Sequence, residues 1–345
     1  MGKTMRAAVF SEFGGPSVVG IRKVPVPEPG AGEVRVRVEA AAMNHLDLWV
    51  RRGLPIETPM PHIGGSDFAG TVDAVGPGAE SVPLGTRVVV DPSLRFDWYD
   101  GQDRGASFDE LPFQLIGEHT QGGFAEYAIV PAENLLEVPG DFPYTEAAAA
   151  GLVFVTAWRA LITRGGLRAG ERVLITGASG GVGTAAIQIA ARAGAEVYAV
   201  THGPDKVRKC RELGASIVYD RQEVSFSREV WRDTKKKGVH LAFDTVGESI
   251  WADCLRALAP MGRLVTSGAT TGSRGSTEIR LVFWKQLSIL GSTMGSPTEF
   301  RRVMRLVFEG KLDAVIHEVM PLDEAARAHQ MLEAGEVFGK IVLVP

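Results

Sequence analysis

The sequence predicts an α/β protein of two domains, one β-rich and one built on a doubly wound parallel sheet, and three observations carry that reading. Residues 5–131 contain alternating apolar and polar runs cut by proline and glycine turns, the mark of half-buried antiparallel strands. From residue 171 onward short apolar strands alternate with helical segments, as in a parallel sheet covered on both faces. After residue 295 the chain returns to β-like segments and closes on GKIVLVP. The β-rich domain is therefore read as discontinuous, 1–150 and 295–345, around a parallel-sheet domain at 151–294.

Taken in order, RAAVF (6–10) and EVRVRVEA (33–40) are strands joined through VPVPEPGAG. The stretch 67–90 holds short strands cut by Gly-Pro turns, and FAEYAIVP (124–131) adds another. EAAAAGLVFVTAWRAL (146–161) changes to a long-period, alanine-rich helical pattern. The strands VLIT, VYAVT, SIVYD, LAFDTVG, RLVTSG and LSILGS then follow in turn, and an amphipathic helix covers 299–308.

Composition bounds what such a protein does. With 345 residues, 45% of them apolar and 23% charged, it is an ordinary globular chain. A net charge of −4 supplies no basic surface for nucleic acid. No apolar run is read as long enough to cross a bilayer, and MGKTMRAAVF has no signal-like apolar region, so a cytoplasmic protein without a membrane partner is expected. Cys210 and Cys254 are too few for a disulfide framework and fit a reducing compartment.

The stretch VLITGASGGVGTAAIQIAAR (173–192) reads as buried strand, glycine turn and helix. Ser179, Gly180, Gly181, Val182 and Gly183 form the turn, with Ala178 where the usual G-x-G-x-x-G has its first glycine. Amides at such a helix start are unpaired and face outward with the positive end of the helix dipole. A dinucleotide diphosphate is the expected ligand.

Further motifs are NHLDLWVRRG (44–53), GSDFAGTVDAVG (65–76), GGFAEY (122–127) and the terminal FGKIVL (338–343). Together with the glycine turn they resemble the medium-chain dehydrogenase/reductase superfamily across essentially the whole chain. The resemblance implies a GroES-like β domain plus a Rossmann domain, an active site in the cleft between them, and hydride transfer with a nicotinamide cofactor. Zinc members carry a Cys at the place of Asn44, a His at Ser66 and a third Cys or Asp near Leu152, with a relay hydroxyl at Leu46; none of these is kept here. The lobe that would hold a structural zinc, 91–119, contains no cysteine. No metal site is expected, since zinc requires thiolates and imidazoles in tetrahedral array; an improvised set of His45, His62 and Asp67 is the one alternative.

The chain is thus similar to the zinc-free, quinone oxidoreductase-like branch, whose substrates are quinones or α,β-unsaturated carbonyls. That resemblance implies catalytic roles for Asn44, Asp47, Trp49 and Thr156. Asn44 is a donor to the substrate carbonyl or the nicotinamide, and Asp47 orders the cleft. Trp49, Phe96, Trp98 and Tyr99 are candidate walls for a planar substrate. The implied cofactor contacts are His45, Thr156, the turn 179–183, Thr201, His202, Lys206, Tyr219, Asp244, Val246, Ser267, Gly268, Met294 and Lys340. NADPH is expected over NADH, because the second strand ends in Thr201 rather than an acid and Lys206 with Tyr219 matches a phosphate clasp. The strand 288–292 is where relatives pair as homodimers. Two other readings stay open: an alcohol dehydrogenase with a residual metal, and a nucleotide-binding protein without turnover.

Overall fold

Apolar residues that alternate along Glu33–Ala42 put Val34, Val36 and Val38 on one buried face, and this strand is the centre of a seven-stranded sheet. The computed structural model describes residues 2–94, 96 and 114–345; Trp98 and Tyr99 lie outside them. The described chain divides into two compact units, Met1–Leu152 with Gly295–Pro345, and Val153–Met294.

In the first unit the sheet runs Leu135–Glu137, Arg87–Val90, Asp67–Val75, Glu33–Ala42, Lys340–Val344, Ile316–Pro321, with Tyr127–Pro131 also paired to Glu33–Ala42. The closing strand is the one that matters for function. Val342 lies opposite Ala42 and Leu343 opposite Ala41, so the antiparallel register carries Lys340 toward Asn44. Asp67, the first residue of its strand, pairs with Ala42 on the other side. Three ends of strand therefore meet at one place. The segment after 310 is not only β-like: helix Ala325–Glu333 buries Ala325, Ala328 and His329 along one stripe, an i, i+3, i+4 pattern that the short length of AARAHQMLE hides.

The second unit is a six-stranded sheet in the order Ile217–Asp220, Glu196–Thr201, Arg172–Ile175, Val239–Asp244, Leu258–Thr266, Ser288–Gly291, with every neighbour pair parallel. Val173, Leu174 and Ile175 are fully buried at its centre, where each such side chain contributes about 1.5–3 kcal/mol by leaving water. The chain order reverses at Arg172–Ile175 and Val239–Asp244, and ligands of such sheets gather at the carboxyl ends beside that reversal.

One expectation about length fails. Helix Tyr144–Trp158 runs on as a π-helical turn Arg159–Arg164, and the whole is long and apolar enough to cross a membrane by length and composition. Its most apolar window is 78% buried inside the protein, which makes it a core helix.

Candidate functional site

In the second unit the helix Gly181–Arg192 starts directly after the central strand, capped by Gly180 with no side-chain hydrogen bond. Its first amides thus lack acceptors and point out of the helix end. Gly183 makes this possible: a Cβ there would lie 2.3 Å from the Gly177 carbonyl oxygen and 2.6 Å from Ala178 Cα. Gly177 itself takes φ 57°, which favours glycine, whereas Ala178 is buried where a first fingerprint glycine is not required. Gly180 is exposed, leaving room over the amides.

Around this helix start, at the carboxyl ends of the strands, two hydroxyls are buried without a partner among the described residues, Thr201 Oγ1 and Ser267 Oγ. A buried hydroxyl left unbonded costs about 1–3 kcal/mol, so a polar ligand has a reason to reach both. Uncapped amides, an open glycine surface and orphan hydroxyls fit a nicotinamide dinucleotide. Val246 and Gly268 belong to the same rim. Gly268 has no room for a side chain, its Cβ position lying 2.6 Å from the Thr245 carbonyl oxygen. Thr156 donates to Met294 Sδ at 3.8 Å, which joins two of the expected contacts in one place.

Two expected cofactor contacts are otherwise employed. Asp244 is fully buried; it accepts from Thr176 Oγ1 at 2.7 Å, Val246 N at 2.9 Å and Gly247 N at 3.1 Å. It shapes the loop that follows its strand instead of presenting a carboxylate to a ligand. Tyr219 is 5% exposed and donates its hydroxyl to Asp233 at 2.9 Å, so it has no free donor for a phosphate. Beyond Thr201 the chain turns through Gly203, whose amide donates to Asp220 at 2.8 Å. Burial holds His202 below the usual imidazole range, with the charges of Lys206 and Arg221 acting in the same direction.

In the first unit the strand ends assemble a buried polar cluster. Lys340 Nζ donates to Asn44 Oδ1 at 2.5 Å and lies 3.3 Å from Asp67 Oδ2. Asn44 Nδ2 donates to the same Asp67 oxygen at 2.9 Å, and Leu152 N donates to Asp67 Oδ1 at 2.8 Å. All three side chains are at most 5% exposed. Lys340, an expected cofactor contact, therefore sits within this cluster, with its ammonium between Asn44 and Asp67. Burial pushes its pKa down, while the carboxylates of Asp67 and Asp47 pull it back up.

Asp47 accepts from Asn44 N at 2.7 Å and Gly65 N at 3.1 Å. It is the residue that ties helix His45–Arg52 to the 64–66 turn. Burial raises its pKa to about 6 against those two amides. Glu118, under the same influences of burial and the Asp47 charge, is raised to about 7. The backbone around Ser66 is packed glycine on glycine. A Cβ on Gly117 would meet Gly65 C at 2.7 Å, and one on Gly122 would meet the Gly64 and Gly65 oxygens at 2.4 Å. His45 stands edge-on to Trp49, ring centroids 6.0 Å apart, and burial holds it below the usual imidazole range. That favours a neutral ring and weakens the expected role against a diphosphate. Phe96 is 2% exposed and packed in the core.

The donor set does not fit zinc. Asn44 Oδ1 already accepts from an ammonium, Leu152 is apolar, and Ser66 offers a single neutral hydroxyl, buried and unpartnered. His62 Nε2 lies 3.0 Å from the Gly117 carbonyl oxygen, Asp67 is spent on its three donors, and no group of three metal-binding side chains occurs among the described residues.

A parallel sheet with an uncapped glycine turn, joined to a β-rich unit with a buried polar cluster, defines a two-domain nucleotide-dependent oxidoreductase. Comparison makes this specific. Residues 30–140 match the alcohol dehydrogenase GroES-like domain and residues 181–309 the zinc-binding dehydrogenase domain. The quinone oxidoreductase of Homo sapiens is 31% identical over 99% of this chain and 98% of its own length. A solved NAD-dependent alcohol dehydrogenase is 42% identical with a TM-score of 0.92, covering 99% of this chain and 100% of that one. A crotonyl-CoA carboxylase/reductase in complex with NADP is 26% identical with a TM-score of 0.88, covering 99% and 95%. The chain belongs to the medium-chain dehydrogenase/reductase superfamily, in its quinone oxidoreductase-like branch, and is an NAD(P)H-dependent oxidoreductase.

Proposed function

We propose that the protein is an NADPH-dependent reductase of quinones or α,β-unsaturated carbonyls that works without zinc. The observation carrying this is position 44: an asparagine amide, held by an ion pair, stands where zinc members of the family keep a thiolate. Without a Lewis acid, an unactivated ketone lacks stabilisation for its developing oxyanion. A quinone or enone spreads that charge through its own conjugation. A bound cofactor would supply the hydride to the β carbon or quinone ring; in the β-rich unit Asn44 Nδ2 donates to the carbonyl oxygen and Trp49 is offered to the substrate ring, while Thr156 belongs to the nucleotide-binding unit. The strand end at Thr201 bears no carboxylate, and Lys206 and Arg221 act on His202 nearby, which supports a 2′-phosphate on the cofactor.

Mixing the pure protein with NADPH and a panel of quinones and enones should bleach the reduced-cofactor absorbance; no loss with any of them overturns the reading. NADPH should bind at least about tenfold tighter than NADH, a difference of about 1.4 kcal/mol. The 42% identity to an NAD-dependent alcohol dehydrogenase favours a second reading, alcohol oxidation with NAD. Stoichiometric zinc with chelator-sensitive alcohol turnover would establish it instead.

The protein is also proposed to act as a homodimer in a reducing compartment such as the cytoplasm. Among the described residues strand Ser288–Gly291 is paired on one side only, and Ile279, Phe283 and Trp284 of the preceding helix are 63–83% exposed. An unpaired edge with apolar neighbours is suited to a second copy. Trp284→Glu should lower the mass seen in sedimentation to that of one chain.

A further inference from the structure

The ion pair in the first unit joins the places where zinc members of the family keep their ligands. Lys340 and Asp67 hold the Asn44 side chain, and Asp67 also holds the backbone of Leu152 and is the neighbour of Ser66. We propose that Lys340 is a positioning residue for reduction, fixing the Asn44 amide so that its second Nδ2 hydrogen faces the substrate carbonyl.

Donors and acceptors decide which way the amide stands. An asparagine amide can turn over, exchanging Oδ1 for Nδ2, and only its partners decide the orientation. Here a pure donor meets Oδ1 at 2.5 Å and a carboxylate oxygen meets Nδ2 at 2.9 Å, so the turned amide would set oxygen against carboxylate and N–H against ammonium. One Nδ2 hydrogen goes to Asp67; the other has no acceptor among the described residues. Lys340 also polarises the amide, strengthening that hydrogen as a donor in a buried, low-dielectric setting, and it offsets the Asp67 charge that would weaken it. Lys340 touches Asn44 and Asp67, not the reacting atoms. Its position follows from the closing strand's register, which no local pattern near residue 340 specifies.

The inference rests on the proposed reduction, and the test separates the two. With the quinone or enone that the wild type reduces best, Lys340→Met should lower kcat by about 30-fold or more, a loss of the size of a charge-assisted hydrogen bond. Lys340→Arg should recover at least about a third of kcat, and the dissociation constant for NADPH, read by fluorescence, should stay within about twofold in both. Asn44→Ala should lose as much as Lys340→Met, and the double variant no more than either, because the two act through one group. Independent, multiplying losses overturn the proposal. So does a large rise in the NADPH dissociation constant, which would make Lys340 a cofactor contact. Since Lys340→Met leaves Asp67 buried and unpaired, Asp67→Asn/Lys340→Met is the folded control, and it should show the same loss of kcat with a melting temperature near that of the wild type. If no substrate is reduced, the proposed function fails, and nitrogen-15 spectra still decide the positioning. The Asn44 side-chain amide pair, assigned by its absence in Asn44→Ala, should be sharp and slow to exchange in the wild type and broadened in the doubly neutral variant. Unchanged Asn44 signals there overturn the proposal.

Discussion

The two units build their polar features in opposite ways. The nucleotide end is built by leaving side chains out: Gly177, Gly180 and Gly183 clear the backbone so that amides face outward. The polar cluster is built by putting charge in, with Asn44, Asp67 and Lys340 drawn from strand ends up to 296 residues apart. A feature of the first kind is sensitive above all to added volume. One of the second kind is sensitive above all to lost charge, since its members hold one another in place electrostatically.

The largest effect expected from this contrast is at Gly183. A side chain there meets the Gly177 carbonyl at 2.3 Å, so Gly183→Val should cut NADPH affinity by about 100-fold or more and destabilise by about 1–3 kcal/mol. Cofactor titration and thermal unfolding check it, and near-wild-type binding would dissolve the contrast. Asp244→Asn tests the one buried charge at the nucleotide end. It keeps the one oxygen that accepts from both Thr176 and Val246 but cannot also serve Gly247, which costs about 1–2 kcal/mol and should raise KM for the cofactor several-fold with little change in kcat. An unchanged KM would mean that the loop beyond Asp244 does not bear on the cofactor.

Stability should also depend on pH through the β-rich unit. Glu118, raised from 4.5 to about 7, keeps in the fold a proton that the unfolded chain sheds. Its contribution is full below about 4.5 and is lost as pH climbs toward about 7, because over that span the native state binds more protons. His329 has the opposite sign: held at about 3 against 6.5 by burial, it costs stability as pH falls through that range. Glu118→Gln should therefore flatten the decline of melting temperature between pH 5 and 7. Parallel curves for variant and wild type would remove Glu118 from the account.

The same contrast sets what was legible in the sequence. Strand and helix alternation and the glycine turn are local, so periodicity and spacing reveal both the α/β class and the nucleotide end. The zinc positions are legible as replacements only through family resemblance. Register between distant strands has no local signature, so the place of Lys340 beside Asn44 and Asp67 emerges only when Val342 is seen opposite Ala42. Tyr219 and Asp244 fit their motif positions, but nearby partners, Asp233 and the 246–247 amides, absorb them. The helix Ala325–Glu333 is short and alanine-rich, too weak a pattern to stand out from the β-like segments around it.

The glycines about Ser66 set a practical limit for anyone wishing to redesign this part of the chain. With Gly117 and Gly122 pressed on the Gly64–Gly65 backbone, every side chain tried at those two positions displaces main chain, not solvent. Laboratory evolution should therefore find almost no tolerated variants at either position.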